Sequence, residues 1–169
     1  MKRRSLPKEP WVDVAVDFLR PLPSRDYILI LVDYYSRYKE IKVMRSITAL
    51  DTIKVLKEMF SRLGYPATIT CNNGNQFTSD VFRNFCKACG IVVNSTIPYW
   101  PQMNGEVERQ NRDVLKRLKI SQAENKDWKE DILNYLMMYN STPHSVTDSD
   151  VRDRDMLMKE KGKEYGDRK

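Results

Sequence analysis

The sequence predicts an α/β domain built on a five-stranded mixed sheet that is flanked by helices. Its 169 residues are enough for one ordinary domain with its own core. Several short segments are rich in β-branched and aromatic residues, and the stretches between the later ones repeat their apolar residues at helical spacing. The predicted order is therefore three strands, a helix, a strand, a helix, a strand and then helices.

Each predicted strand has its own pattern of apolar residues. Residues 11–18 alternate between apolar and polar side chains, which fits a strand. Residues 27–35 are almost all apolar, as expected of a strand that is covered on both faces. A shorter and more polar segment at 37–43 gives the third strand, and residues 67–71 and 91–93 give the fourth and fifth.

Helices are predicted from apolar periodicity and from stop signals. The first covers residues 48–63, where apolar residues recur at helical spacing and Gly64 follows as a stop. The second begins after Thr78 or Ser79, either of which is a suitable N-cap, and it runs to about Cys89. A proline-bearing loop is expected at 94–103, followed by helices at 105–122 and 128–139.

The division of the chain follows from its composition. Residues 1–10 are basic and contain two prolines, so we expect a flexible lead-in. The core domain is predicted to span 11–147, and the charge-dense segment 148–169 is expected to be a solvated helix or disordered. No apolar run approaches the length of a bilayer span, so no membrane partner is expected.

Charge and cysteine content restrict the partners. Lys and Arg outnumber Asp and Glu by 29 to 23, which gives a net charge of +6 and favours an anionic partner without establishing one. Cys86 and Cys89 have the spacing of a zinc-binding pair, but zinc needs four ligands and His144 is the only histidine. This pair is therefore predicted to be two packed thiols, and Cys71 is also assigned to packing.

Two acids and one amide stand where a catalytic centre could form. Asp17 lies at the end of the first strand, Asn72 at the end of the fourth, and Glu108 in the first turns of the helix after the loop. With the first and fourth strands adjacent, these three residues meet at one point. Acidic oxygens that converge there would hold a pair of Mg²⁺ ions, which activate a water or a 3′-hydroxyl. The alternative is that Asp17 and Glu108 are ordinary surface acids, and their spacing alone favours it.

Three longer motifs carry a family resemblance. They are YILILVDYYSRY at 27–38, CNNGNQF at 71–77 and PYWPQMNGEVERQNR at 98–112. In this order they resemble the integrase core of gypsy-type long terminal repeat retrotransposons, which is similar to retroviral integrase. The match runs from about residue 11 to residue 144. It implies the ribonuclease H-like fold, DNA integration by strand transfer with Mg²⁺ or Mn²⁺, and a nuclear, homodimeric protein.

The resemblance assigns three catalytic positions. The first catalytic Asp of the family falls on Asp17, and its catalytic Glu falls on Glu108 because Asn-Gly-x-x-Glu-Arg matches residues 104–109. The second Asp falls on Asn72, since Asn-Asn-Gly stands where the family has Asp-Asn-Gly. The 35 residues between Asn72 and Glu108 are the separation typical of the family. Asp17 and Glu108 are thus the implied metal ligands, whereas Asp33, which is not among the family's three ligands, is predicted to be structural.

The amide at position 72 bears on the expected activity. An amide oxygen brings no charge and binds Mg²⁺ more weakly than a carboxylate does. At an effective dielectric constant of ~20, one unit charge at ~4 Å is worth about 4 kcal/mol, and this loss slows a reaction roughly 10³-fold. The sequence therefore predicts an integrase core with little or no strand transfer. The alternative function is a captured, inactive core that serves as a DNA-binding or self-associating scaffold.

The helix that carries Glu108 is also expected to contact DNA. Asn104, Asn111 and Arg112 lie four residues before and three and four residues after Glu108, so they share its face. Two amides and a guanidinium suit phosphates and base edges. The predicted DNA contacts also include Arg109 and Lys116. The alternative interpretation of this surface is a solvated, charged helix.

Overall fold

The computed structural model describes residues 9–19, 24–95 and 101–142, with the backbone alone over 101–107. The strands are β1 (Asp13–Leu19), β2 (Tyr27–Asp33), β3 (Lys39–Met44), β4 (Thr68–Cys71) and β5 (Val92–Ser95). The helices are α1 (Ala49–Leu63), α2 (Asn75–Thr78), α3 (Asp80–Ala88), α4 (Pro101–Ala123) and α5 (Trp128–Ser141). Most of the predicted lead-in and all of the predicted tail, 148–169, lie outside the described residues.

The strands form one mixed sheet in the order β3-β2-β1-β4-β5. β1 runs antiparallel to β2, and β2 runs antiparallel to β3, whereas β1, β4 and β5 are mutually parallel. The predicted α/β class, the five-stranded mixed sheet and the adjacency of the first and fourth strands are confirmed. In the pairing of β1 with β4, Ala15 lies opposite Thr70, so the same register carried on by two residues brings Asp17 opposite Asn72.

Helices cover both faces of the sheet. On one face, α1 and α3 pack against the sheet residues Val14, Val16, Leu29, Leu31 and Ile69. On the other face, α4 and α5 contribute Val114, Leu118 and Ile132 to a cluster with Leu19, Ile28, Ile30 and Val32. Because β2 supplies alternate residues to both clusters, its nearly continuous apolar sequence is explained by burial on both faces, as predicted.

The two helices α1 and α3 begin and end for local reasons. The Thr48 side chain accepts a hydrogen bond from the Asp51 backbone N–H and caps α1. Gly64, with φ of 80°, ends α1 and donates its N–H to the Phe60 carbonyl. Ser79 caps α3 in the same way, by accepting from the Phe82 N–H. The predicted bounds of both helices agree with the structure to within one or two residues.

The first three strands differ from their predicted bounds by one or two residues at an end, and three other differences have a local cause. The four-residue helix α2 was expected to be part of a turn, and it forms because the Gly74 carbonyl accepts from the N–H groups of Phe77 and Thr78. β5 extends to Ser95, into the predicted loop, because it continues to pair with β4. α4 begins at Pro101 rather than near residue 105. Proline is favoured in the first turn of a helix because N–H groups there have no carbonyl partner within the helix, so the absence of an N–H costs nothing.

Two of the three thiols are core residues. Cys71 and Cys86 are buried in the cluster beneath α1 and α3, and Cys89 is half-buried at the end of α3. Burial raises the pKa of Cys71 to about 11 and that of Cys86 to about 12. These thiols are therefore protonated at neutral pH and pack as small apolar side chains, in agreement with the prediction.

Asp33 organises the turn between β2 and β3. Its carboxylate is fully buried and accepts hydrogen bonds from the Trp11 N–H at 3.0 Å and the Ser36 N–H at 2.8 Å. The Ser36 hydroxyl donates to the same carboxylate. The turn also places Arg37 at φ of 63°, where the Arg37 N–H bonds back to the Asp33 carbonyl. These contacts agree with the predicted structural role of Asp33.

Helix α5 docks on β3 through one lysine. Lys39 is fully buried, and its ammonium nitrogen lies 3.2 Å from the Tyr135 hydroxyl and 3.9 Å from the centre of the Tyr139 ring. The Asn140 side chain accepts the Lys39 backbone N–H at 3.2 Å and donates to the Lys39 carbonyl at 2.9 Å. α5 is in turn tied to α4 by an ion pair of 2.6 Å between Arg117 and Asp131.

Candidate active site

Asp17 is the acid at the centre of the candidate site. It lies in β1 two residues before the strand ends at Leu19, so it stands within the strand rather than at its end as predicted. Its side chain is half-buried, and the Phe18 backbone N–H donates to Asp17 Oδ1 at 2.8 Å. The Phe18 ring stacks on Phe77 of α2 with 5.7 Å between ring centroids, which holds this part of β1 against the segment that follows β4.

Asn72 stands directly after β4 and uses both ends of its amide. Its Nδ2 donates to Asp17 Oδ1 at 3.1 Å, and its Oδ1 accepts the Gly74 backbone N–H at 2.8 Å. A Cβ at position 74 would lie 2.9 Å from Asn72 Oδ1 and 2.8 Å from Gln76 Nε2, so a larger residue there would require these side chains to move. The turn therefore sets the orientation of the Asn72 amide, with nitrogen toward Asp17.

Asn111 approaches Asp17 from the other side. It projects from α4, and its Nδ2 donates to Asp17 Oδ2 at 2.8 Å. Its Oδ1 is buried and has no hydrogen-bond partner among the described residues. Both carboxylate oxygens of Asp17 thus receive a side-chain amide N–H, one from each of two elements that are remote in sequence.

The charge of Asp17 is opposed by burial and supported by these donors. Burial raises the pKa of Asp17 above the usual value, and hydrogen bonds from the Phe18 N–H and the Asn111 amide act in the opposite direction. The donors are neutral N–H groups, so they stabilise the carboxylate without neutralising it.

The remaining predicted site residues lie on α4. Glu108, Arg109, Arg112 and Lys116 are all exposed, and Asn104 falls in the first turns, where only the backbone is described. Within the described residues, no three His, Cys, Asp or Glu side chains are grouped closely enough to hold a metal ion. The structure brings together Asp17, Asn72 and Asn111, and Glu108 lies on α4 three residues before Asn111. The assignment of Glu108 to the catalytic site stays a prediction.

Exposed cations form one row along α4. Arg109, Arg112, Lys116 and Lys119 are spaced by three, four and three residues, so they lie on one side of the helix. The row lies beside the face that carries Glu108 and Asn111. Lys119 extends the row by one turn toward the carboxyl end of α4. We refer to these four residues as the basic row.

The hydrogen-bond donors around Asp17 compete with a divalent cation for its oxygen atoms. Mg²⁺ and Mn²⁺ prefer carboxylate oxygens, and Asp17 directs both of its oxygens at amide N–H groups. The Asn72 oxygen, which could serve as a weaker ligand, accepts the Gly74 N–H instead. Oδ1 of Asp17 accepts two N–H groups and Oδ2 accepts one, so a cation would bind Asp17 through the remaining lone pair of Oδ2 or in competition with these donors.

Comparison with known proteins adds a family and a fold. The family model described as "Integrase core domain" matches residues 9–101. An uncharacterised protein of Caenorhabditis elegans is 40% identical over 142 residues, which are 83% of this chain and 11% of that protein. The Transposon Tf2-3 polyprotein of Schizosaccharomyces pombe is 30% identical over 146 residues, again 83% of this chain and 11% of the polyprotein. The chain thus spans about a tenth of the length of these curated relatives.

Solved structures resemble this one across nearly their whole length. The catalytic core domain of BIV integrase has a TM-score of 0.71 and 23% identity, covering 92% of this chain and 99% of its own. The catalytic core domain of HTLV-2 integrase, solved in complex with magnesium in a trimeric form, has a TM-score of 0.71 and 20% identity, covering 86% and 97%. The fold is therefore that of retroviral integrase catalytic cores, which is ribonuclease H-like, as the sequence resemblance implied.

The sequence indicated part of the arrangement around Asp17. The pairing of β1 with β4 was predicted, and it accounts for the meeting of Asp17 and Asn72. Asn111 was assigned to DNA contact because it shares a helix face with Glu108. Its hydrogen bond to Asp17 was not predicted, and the only sequence signal for it was that shared face.

Proposed function

Because the chain belongs to the integrase core domain family, we propose that it is a gypsy-type retrotransposon integrase core with little or no strand-transfer activity. Its relatives include transposon polyproteins, and DNA integration is the activity of the family. The observation that carries the proposal is the hydrogen bond from Asn72 to Asp17. At the position that we assign to the second catalytic acid, the chain presents an N–H donor to the first acid.

The loss of activity follows from the charge at this position. Asp17 is the single carboxylate in the hydrogen-bonded group with Asn72 and Asn111, and each of its two oxygens accepts a hydrogen bond from one of these amides. A missing unit charge at ~4 Å and an effective dielectric constant of ~20 corresponds to about 4 kcal/mol, or roughly 10³-fold in rate. Divalent metal use is therefore proposed to be weakened or absent in this chain, although a relative binds magnesium.

A strand-transfer assay with Mg²⁺ or Mn²⁺ tests this proposal. We expect Asn72→Asp to exceed the unaltered chain by roughly 10³-fold, because the substitution restores the charge estimated above. Asn73→Asp is the matched control, since it adds the same charge one residue away on an exposed side chain. Strand transfer by the unaltered chain at the rate of Asn72→Asp would overturn the proposal.

A second candidate function, DNA binding as a scaffold, is favoured by the basic row on α4. Four exposed cations along one side of a helix suit a run of phosphates, and the chain carries a net charge of +6. Asn111, which donates to Asp17, extends this surface toward the sheet. DNA contact of this kind does not require the missing acid.

Duplex binding at several salt concentrations tests the scaffold function. Arg112→Ala with Lys116→Ala should lower affinity and reduce the slope of log K against log salt by about 1.8, because two phosphate contacts are lost. Lys54→Ala with Lys87→Ala is the control, since it removes the same charge from the opposite helical layer. Equal losses in both double variants would show that net charge, rather than the basic row, determines binding.

Self-association and a nuclear location complete the proposal. Leu133 and Met137 lie one turn apart on α5 and are 57% and 61% exposed, which offers an apolar surface to a second copy. None of the helices in the described part of the chain is both long and apolar enough to cross a membrane. Sedimentation of the unaltered chain and of Leu133→Ser with Met137→Ser tests the homodimer, and imaging of a fluorescent fusion tests the location.

A further inference from the structure

The three residues at the site connect three separate elements. Asp17 belongs to β1, Asn72 follows β4, and Asn111 projects from α4. Nitrogen-to-oxygen distances of 3.1 Å and 2.8 Å join the two amides to the two oxygens of one carboxylate. We call Asn72 and Asn111 the amide clamp.

We infer that the amide clamp fixes α4 to the sheet without a divalent cation, so that the DNA-binding surface of α4 is already formed in the metal-free protein. This inference rests on the proposed DNA-binding function. It goes beyond the loss of activity, because it predicts that folding and DNA affinity are both independent of Mg²⁺. Asn111 acts in this scheme as a positioning residue, since it holds the helix that carries the basic row.

The position of the clamp on α4 supports this role. The apolar contacts of α4 with the sheet are made by Val114 and Leu118, which are fully buried. Asn111 lies one turn before Val114 on the same side, so its bond to Asp17 extends the docking of α4 toward its amino-terminal half. Glu108 and Arg112 flank Asn111 in that half. A hydrogen bond to a charged acceptor is about twice as strong as one between neutral groups.

The orientation of the Asn72 amide is set by the backbone. The Gly74 N–H occupies Asn72 Oδ1, so the nitrogen of the amide must face Asp17. With an aspartate at position 72, a second carboxylate would stand about 3 Å from Asp17 Oδ1, and the two like charges would repel unless a cation or a proton lay between them. The amide turns this repulsion into attraction and removes the need for the cation.

The experiment compares thermal unfolding in EDTA with unfolding in millimolar Mg²⁺ at equal ionic strength. The melting temperature of the unaltered chain should not respond to Mg²⁺. In EDTA, the melting temperature of Asn72→Asp should be about 3–6 °C below that of the unaltered chain, and Mg²⁺ should raise it back to that value. Asn73→Asp is again the control for added charge and should show neither effect.

A second measurement uses only the unaltered chain, so it holds even if Asn72→Asp does not fold without metal. Fluorescence anisotropy with a labelled DNA duplex should give dissociation constants within about twofold in EDTA and in Mg²⁺ at matched ionic strength. A Mg²⁺-dependent rise in melting temperature equal to that of Asn72→Asp, or DNA binding that needs Mg²⁺, would overturn the inference.

The two proposals fail in different ways. If the unaltered chain performs strand transfer at the rate of Asn72→Asp, the proposed function fails, whatever the melting temperatures show. If the unaltered chain is inactive but is stabilised by Mg²⁺, the proposed function holds and the amide clamp is wrong. If the chain is inactive, unresponsive to Mg²⁺ and still binds DNA, both stand.

Discussion

Asp17 and Asp33 are acids in neighbouring antiparallel strands, and they are satisfied in opposite ways. Burial raises the pKa of both carboxylates. Asp33 is bonded by the Ser36 N–H and hydroxyl of its own turn and by the Trp11 backbone. Asp17 accepts one backbone N–H, from Phe18, and its other donors are the side chains of Asn72 and Asn111, 55 and 94 residues away.

The difference separates a structural acid from a site acid. Backbone N–H groups cannot turn away from Asp33 without unfolding the turn, so this carboxylate has no free oxygen for a ligand. Side-chain amides can rotate or be replaced by substitution, so the surroundings of Asp17 can change while the sheet stays intact. Burial and a raised pKa are common to both acids, so these two properties alone do not distinguish the site acid from the structural acid.

The largest effect that this comparison predicts is at Asp33. Asp33→Ala leaves the Trp11 and Ser36 N–H groups without a partner in a buried turn, and we expect the free energy of unfolding to fall by about 3–5 kcal/mol. Urea denaturation measures it, with the exposed Asp80→Ala as control. If Asp33→Ala lowers the free energy of unfolding no more than Asp80→Ala does, Asp33 does not have the structural role that separates it from Asp17.

Asp17→Ala should have a smaller effect. The substitution removes three hydrogen bonds, from Phe18, Asn72 and Asn111, but it also removes a charge that burial disfavours, so the net loss is expected to be about 1 kcal/mol. The same urea series measures this value. If Asp17→Ala destabilises the protein as much as Asp33→Ala does, Asp17 is a structural acid as well.

Gly74→Ala tests the turn that orients Asn72. The backbone angle at Gly74 is an ordinary −60°, so the effect comes from the new Cβ, which would crowd Asn72 Oδ1 and Gln76. Since Gln76 can move, we expect a loss of about 0.5–1 kcal/mol, together with a displaced Asn72 amide. Thermal unfolding and an NMR shift of the Asn72 side-chain amide measure the two effects; an unmoved amide resonance would contradict this prediction.

The smallest effect concerns a third acid, Asp131, whose partner is a cation. The hydrogen bond from Arg117 holds the pKa of Asp131 below its usual value. The stability gained from this pair is therefore present above the ordinary pKa of Asp and is lost as the pH falls through the lowered pKa. Asp131→Asn should lower the melting temperature at neutral pH, and the difference from the unaltered chain should shrink in acid. A difference that is constant with pH would contradict the assignment.

The sequence was sufficient for the features that depend on local patterns. Apolar runs and N-caps located the strands and α1, and the strand order brought position 17 to position 72. The helix α2 was missed because its one buried residue, Phe77, gives no periodicity, and its first bonds go to the Gly74 carbonyl. The bond from Asn111 to Asp17 was missed because it depends on how α4 crosses the sheet, which no local pattern encodes.

The contact between Asn140 and Lys39 has a consequence for how copies of this chain can meet. β3 is an outer strand of the sheet, and an outer strand normally presents unpaired N–H and C=O groups to which a foreign strand can add. The Asn140 amide forms hydrogen bonds with both the N–H and the C=O of Lys39, as one residue of a neighbouring strand would. α5 thereby blocks the addition of a foreign strand at the first residue of β3.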